Sequence, residues 1–117
     1  MNIRTLLMIF IVVIGISTGQ VLFKAAALKS KDSALGFVYS LAVDPVFLLA
    51  LVIYGLVTLL WVYILSSVRL STAYPFMTIS FVITPFLASY FFSEPLEVRY
   101  WIGMSAIVAG LLVMHYD

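Results

Sequence analysis

The sequence contains no cysteine, and charged residues make up only 9% of its 117 positions. The absence of cysteine excludes disulfides and thiol chemistry. So few charges cannot supply the polar surface that a soluble domain of this size requires. A net charge of +1 also argues against a nucleic-acid partner. The composition therefore indicates a chain whose solvent is mostly lipid.

The sequence patterns of enzymes and metal sites are missing as well. Histidine occurs once, at His115, and no group of His, Asp and Glu has the spacing of metal ligands. There is no glycine-rich phosphate loop, and no nucleophile stands beside a base. We therefore expect no cofactor, no metal and no enzymatic reaction.

Long apolar stretches fill most of the chain, which is 65% hydrophobic with a mean hydropathy of +1.23. A spanning helix takes about 20 residues. The sequence therefore predicts an all-α integral membrane protein, a single bundle of four transmembrane helices over residues 1–117 with both termini on one side. The predicted spans are residues 3–28, 45–67, 73–93 and 100–115.

Three local patterns in and around the first two predicted spans indicate how these segments are organised. Arg4, an apolar run and the alanines at 25–27 imitate a signal peptide, but the run is too long for one, and we expect it to remain as the first span. Residues 33–43 are too short to cross and predict an interfacial helix or an extended lead-in. Asp44 followed by Pro45 is typical of a helix start.

The basic residues divide almost evenly between the two predicted sides of the membrane. The positive-inside rule therefore gives only a weak orientation. A weak bias fits an antiparallel dimer of dual topology. It fits equally a chain whose orientation is set by a partner or by the first helix alone.

The most informative polar residue is Lys24, which lies inside the first predicted span. A lysine at the bilayer centre costs about 2.5–3.5 kcal/mol on insertion scales. Ser17 and Gln20 precede it at spacings that place all three side chains on one helix face. This face predicts a polar wall that offers a positive charge to an anionic headgroup. The alternative is that Lys24 snorkels to the interface.

Aromatic and hydroxyl side chains mark the next two spans. Tyr54, Thr58 and Trp61 share one face of the second span, and Tyr74 precedes Pro75 at the start of the third. Such rings can hydrogen-bond a ligand and stack on it, or they can join helices and anchor them at the interface. The predicted substrate-binding residues are Ser17, Gln20, Lys24, Tyr54, Trp61 and Tyr74.

The fourth span is rich in small residues. Gly103 and Gly110 are seven positions apart and Ala106 lies between them, a pattern that lets two helices approach closely. We predict that Gly103, Ala106 and Gly110 form a dimer contact; the alternative is packing within one bundle. No Asp or Glu falls inside a predicted span, so the carboxylate of a typical proton relay is lacking.

The order of these motifs along the chain resembles that in the drug/metabolite transporter superfamily, and within it in the four-helix small multidrug resistance-like proteins. Residues 19–24 (GQVLFK) resemble the first helix of that family, residues 73–75 (AYP) the start of its third, and residues 92–95 (FSEP) its third-to-fourth turn. Gly103 and Gly110 match the paired glycines of its dimerising fourth helix. The resemblance covers nearly the whole chain.

The chain departs from the drug antiporters of that family at one position. They carry a glutamate in the first helix, eight residues before the lysine, where this chain has Ile16; this argues against proton-coupled export of cations. Their pocket tyrosines have counterparts at Tyr54 and Tyr74. The chain more closely resembles the subunits of the flippase for 4-amino-4-deoxy-L-arabinose-phosphoundecaprenol, which share the Gly-Gln, Ala-Tyr-Pro and Glu-Pro motifs and also lack that glutamate.

This closer resemblance implies transfer of a polyprenyl-phosphate-linked sugar across the bacterial inner membrane by a pair of small subunits. The implied partners are a lipid-linked sugar phosphate, membrane lipid, and either a second copy of the chain or a paralogous four-helix subunit. Two other functions remain open. One is export of small amines or cations by a related dimer, and the other is a role as an accessory subunit in membrane assembly.

Overall fold

A computed structural model describes residues 2–115, and over that range the regular structure is helical throughout. The elements are α1 (Ile3–Ser30), α2 (Phe37–Val43), α3 (Pro45–Leu65), α4 (Leu70–Ala73), a 3₁₀ segment (Tyr74–Ile79), α5 (Ser80–Phe92) and α6 (Val98–Met114). The continuous run of α4, the 3₁₀ segment and α5 forms one apolar span, Leu70–Phe92.

Within residues 2–115, three helical segments are long and apolar enough to cross a membrane: α1, α3 and the run Leu70–Phe92. Helix α6 is apolar but has only 17 residues, fewer than the about 20 of a usual span. The prediction of an all-α protein is confirmed. The predicted count of four spans is not confirmed: the described residues form three full-length helical segments and one shorter apolar helix.

Large apolar side chains cover the outside of the bundle. Leu59 on α3 is 70% exposed and Leu112 on α6 is 67% exposed. A continuous apolar surface of this kind is stable in lipid and not in water. Together with the long apolar helices, it makes the chain a multi-pass membrane protein.

Helix α3 starts where the local sequence predicts. The Asp44 carboxylate accepts a hydrogen bond from the Val46 backbone N–H at 2.9 Å, with proline at the first helical position. The buried Asp44 also lies 3.7 Å from the Lys29 ammonium of α1. Nearby, the hydroxyl of Ser40 in α2 donates to that of Ser30 at 3.0 Å. These contacts hold α2 and the start of α3 against the end of α1.

Helices α1 and α3 approach closely at two glycines that the sequence analysis did not single out. A Cβ atom on Gly15 would overlap the side chain of Val57, and one on Gly19 would overlap the ring of Tyr54. Their spacing of four was the available signal, because small residues at this interval let helices pack backbone to side chain. The buried core continues along this contact through Ile9, Val12, Val13, Val57, Ile64 and Ala73.

Both prolines of the third span lie within its continuous helical run. Pro75 lies in the 3₁₀ segment and Pro85 lies inside α5. Because proline has no backbone N–H, Pro85 leaves the carbonyl of Phe81 without its usual helical donor. The Tyr100 hydroxyl of α6 donates to this carbonyl at 2.6 Å. A side chain of α6 therefore replaces the hydrogen bond that α5 cannot make for itself.

Replacing Tyr100 with Phe should destabilise the bundle by about 1 kcal/mol, because the Phe81 carbonyl loses its donor. The measurement is the free energy of unfolding in detergent. Tyr90→Phe is the control, since it removes the same hydroxyl from a ring that is 81% exposed. Equal stability of the two variants would show that the Tyr100 bond is not significant.

The chain is thin in one direction, with extents of 55 × 37 × 18 Å. Helix α1 lies between α3 and α5 and contacts both. Helix α6 packs mainly on the third span, where the rings of Trp101 and Phe86 meet edge to face at 4.9 Å. Of the three long helical segments described, α1 is therefore the most enclosed, and its polar residues largely determine what the interior of the bundle offers.

Candidate functional site

The polar face of α1 is shared between two neighbouring helices. Ser17 is fully buried and accepts a hydrogen bond from the Thr84 hydroxyl of α5 at 3.1 Å. Gln20, one turn further, donates from its side-chain nitrogen to the hydroxyl of Tyr54 on α3 at 2.6 Å. The structure therefore encloses Ser17 between helices and leaves Gln20 on the exposed side.

Lys24 pairs with an acidic residue from the turn between α5 and α6. Its ammonium lies 3.5 Å from a carboxylate oxygen of Glu94, and the two side chains are 47% and 45% exposed. Lys24 precedes the last residue of α1 by six positions, about 9 Å along the helix axis. Among the described residues, the other basic side chains lie within a turn of a helix end or outside the helices. Among the described residues, Lys24 is thus the cation set furthest from a helix end.

The three predicted aromatic residues line one crevice of about 400 Å³ between α1, α3 and the third span. The rings of Trp61 and Tyr74 meet edge to face with centroids 6.5 Å apart, and Tyr54 lines the same space. Thr58, Thr78 and Ser80 join them on a mostly apolar wall, although the hydroxyls of Thr78 and Ser80 donate to backbone carbonyls of their own span. This combination can hold a ligand by ring contacts and oriented hydrogen bonds.

A second crevice of about 420 Å³ lies between α1, α5 and α6 and shares Ile16, Ser80 and Phe81 with the first. Gln20 lines this second crevice while its amide bonds to Tyr54, which lines the first. Lys24 follows one turn later along α1. The polar groups therefore form a succession from the aromatic crevice, past Gln20, to the Lys24–Glu94 pair.

The acidic groups of the described chain lie at helix ends and in turns. Asp44 caps α3, Glu97 occupies the N-cap of α6, and Glu94 is in the turn before it. Ile16 lines both crevices, so the position at which the drug antiporters have a glutamate is apolar here. Over residues 2–115, no group of three His, Cys, Asp or Glu side chains is placed to hold a metal ion.

The predicted dimer contact lies on an open surface of α6. Gly103, Ala106 and Gly110 are all exposed. A Cβ atom added at Gly103 or Gly110 would meet no heavy atom within 4 Å. Within the described part of one chain, these small residues therefore face no helix, and the dimer contact stays a prediction.

Sequence reasoning missed the contacts made by Glu94, Gly15, Gly19 and Tyr100. Glu94 was placed in the third-to-fourth turn without a partner, because nothing local in a sequence pairs a turn with a helix far along the chain. The two glycines carried a usable signal in their spacing. Tyr100 gave none, because its hydrogen bond depends on where Pro85 leaves a carbonyl free.

The chain is similar to bacterial proteins named "Probable 4-amino-4-deoxy-L-arabinose-phosphoundecaprenol flippase subunit ArnE". It is 38% identical over 68 residues to that of Yersinia pseudotuberculosis serotype O:1b (strain IP 31758), covering 58% of this chain and 60% of the relative. The Yersinia pestis protein matches with the same identity and coverage. The Serratia proteamaculans (strain 568) protein is 36% identical over 66 residues, covering 56% of this chain and 57% of the relative.

The chain thus spans 57–60% of the length of these curated relatives. No protein-family model matches the chain, and no solved structure matches it. The named relatives confirm the resemblance to aminoarabinose-phosphoundecaprenol flippase subunits that the short motifs indicated.

Proposed function

We propose that the chain is a subunit of a membrane flippase that moves a polyprenyl-phosphate-linked sugar of the aminoarabinose type across the bacterial inner membrane. The observation that carries the proposal is the half-exposed ammonium of Lys24, set one turn beyond Gln20, whose amide bonds to Tyr54 of the aromatic crevice. The similarity to proteins named as subunits of such a flippase supports the same substrate class.

The chemistry of the substrate suits this arrangement. Lys24 can hold the phosphate by a charge-assisted contact, which is stronger than a neutral hydrogen bond. Gln20 and Tyr54 can exchange their mutual bond for bonds to sugar hydroxyls, and Trp61 and Tyr74 offer ring faces. Both crevices are open at the surface of the bundle, so the polyprenyl tail can stay in the lipid while the headgroup contacts the protein.

One chain is too thin to enclose the headgroup, since its smallest extent is 18 Å. Ligand pockets typically bury most of the ligand surface, which requires a second wall here. A second subunit, either a copy of this chain or a paralogue, can supply it. The exposed small residues Gly103, Ala106 and Gly110 offer a surface on which that subunit can approach α6 closely.

The substitution Gly110→Leu should separate the dimer and abolish transport while leaving the single chain folded. The reason is that open space surrounds Gly110 within one chain, whereas a partner helix packed on that glycine would meet the added side chain. Crosslinking in membranes and the unfolding free energy of the purified chain would measure the two effects separately. A variant that transports normally as a monomer would contradict this assignment.

The proposal is tested by binding of probe ligands to the purified full chain in lipid nanodiscs. One probe is the phosphoundecaprenol-linked aminoarabinose, and the other is a lipophilic quaternary ammonium ion. We expect the glycolipid to bind and the cation not to bind. Binding of the cation alone would instead favour an exporter of amines or cations, and binding of neither would favour an accessory assembly subunit; either result would overturn the proposal.

A further inference from the structure

The two ion pairs among the described residues differ in burial. In the Lys24–Glu94 pair the atoms are 3.5 Å apart and both side chains are about half exposed, whereas charge-assisted hydrogen bonds typically measure about 2.7–2.9 Å. In the Lys29–Asp44 pair the atoms are 3.7 Å apart, but Asp44 is only 7% exposed and also caps α3. The Lys29–Asp44 pair thus has an evident structural role, which the Lys24–Glu94 pair lacks.

Glu94 makes no other polar contact that would explain its position. Among the described residues, its carboxylate contacts no donor besides Lys24 and caps no helix; the N-cap of α6 is Glu97. An exposed ion pair contributes little to stability. Glu94 can therefore leave Lys24 at a small free-energy cost when another anion takes its place.

The backbone on either side of Glu94 has a special conformation. Ser93 has φ 54° and ψ 31°, the left-handed conformation that non-glycine residues rarely adopt. Pro95, the residue after Glu94, has its own φ fixed by its ring and disfavours the helical conformation at Glu94. This restriction lowers the number of backbone conformations that Glu94 can adopt before a ligand arrives.

We propose that Glu94 is the specificity-determining residue for the charged amino group of the substrate and that binding proceeds by exchange of ion-pair partners. The inference rests on the function proposed above. A 4-amino-4-deoxy sugar on a phosphate carries one negative and one positive group. Lys24 takes the phosphate, Glu94 takes the ammonium, and the internal pair of the free protein separates. The protein then selects zwitterionic headgroups over purely anionic ones, because a lone phosphate leaves Glu94 without a partner.

The test compares four ligands on the full chain in nanodiscs. They are the aminoarabinose glycolipid, the same glycolipid with its amine acetylated, phosphoundecaprenol, and inorganic phosphate, which shows whether the lipid contributes. Wild-type protein should bind the free amine about fivefold more tightly than the acetylated one. Glu94→Gln should remove this preference and bind phosphoundecaprenol about three- to fivefold more tightly, since the competing carboxylate is gone.

The controls separate the inference from the proposed function. Glu97→Gln changes the net charge equally at a nearby carboxylate and should keep the preference for the free amine. Lys24→Met should weaken binding of all the phosphate ligands. If Lys24→Met weakens binding while Glu94→Gln keeps the amine preference, the inference is wrong and the proposed function stands. If Lys24→Met binds the ligands as the wild type does, Lys24 does not bind the phosphate. Both the proposed phosphate site and the inference about Glu94 are then wrong.

Discussion

Lys24→Met should weaken binding of the phosphoundecaprenol-linked sugar about ten- to a hundredfold. A hydrogen bond to a charged group, such as this contact to phosphate, is worth on the order of 1.5–3 kcal/mol, which corresponds to that range in affinity. Methionine keeps the length and the apolar stem of the side chain and removes only the charge. Binding measured in nanodiscs, with expression level as a check of insertion, gives the result directly.

Two further variants refine this expectation. Lys24→Arg should retain part of the affinity because it keeps the charge but changes its geometry. Gln20→Leu should cost less than Lys24→Met, because Gln20 can add only a neutral hydrogen bond.

Lys29→Met is the matched control for Lys24, since it removes a lysine of the same helix that also faces a carboxylate. It should leave glycolipid binding unchanged. If Lys24 only snorkels to the interface, Lys24→Met would be harmless or stabilising, because it removes the cost of inserting a charge. Normal glycolipid binding by Lys24→Met would therefore eliminate the phosphate site.

Of the substitutions proposed, Gly19→Leu should reduce the free energy of unfolding most, by about 3 kcal/mol. The reason is that overpacking a close contact forces neighbouring groups apart. Even a Cβ atom at this position would overlap the ring of Tyr54. The ring must rotate or α3 must move away, and either change breaks the bond from Gln20 to Tyr54. Unfolding in mixed detergent, followed by circular dichroism, would measure the effect.

Gly55→Leu provides the comparison. Gly55 is exposed on α3, and a Cβ atom there would meet nothing within 4 Å. Both substitutions gain the same intrinsic helix propensity, so the difference between them isolates the packing of α1 on α3. Equal unfolding free energies for the two variants would show that the close approach at Gly19 does not stabilise the bundle.

Local sequence signals predicted the parts of the fold that depend on neighbouring residues. The Asp44 cap with its following proline is one example, because a side-chain oxygen near the first free N–H groups suffices to start a helix. The polar face of α1 is another, because helical spacing alone puts Gln20 and Lys24 one turn apart. These features need no knowledge of the rest of the chain.

Contacts between distant residues could not be predicted in the same way. Ser17 shares the helical spacing of Gln20 and Lys24, yet it is buried against Thr84, because the position of α5 decides which part of that face stays open. The partner of Lys24 depends on the turn at Ser93. The left-handed backbone of that residue cannot be predicted from the residue types in the turn. Sequence therefore indicated which polar side chains share a face of α1 but not which neighbouring helix each of them contacts.

The unequal lengths of the helices have a consequence for the surrounding bilayer. Helix α6 has 17 residues and rises about 25 Å, less than the about 30 Å of a hydrocarbon core. Helix α1 has 28 residues and rises about 42 Å. A long helix responds to this mismatch by tilting, and a short one draws the two leaflets together or gathers a neighbour. Where the leaflets are drawn together beside α6, a headgroup has a shorter distance to travel from one to the other.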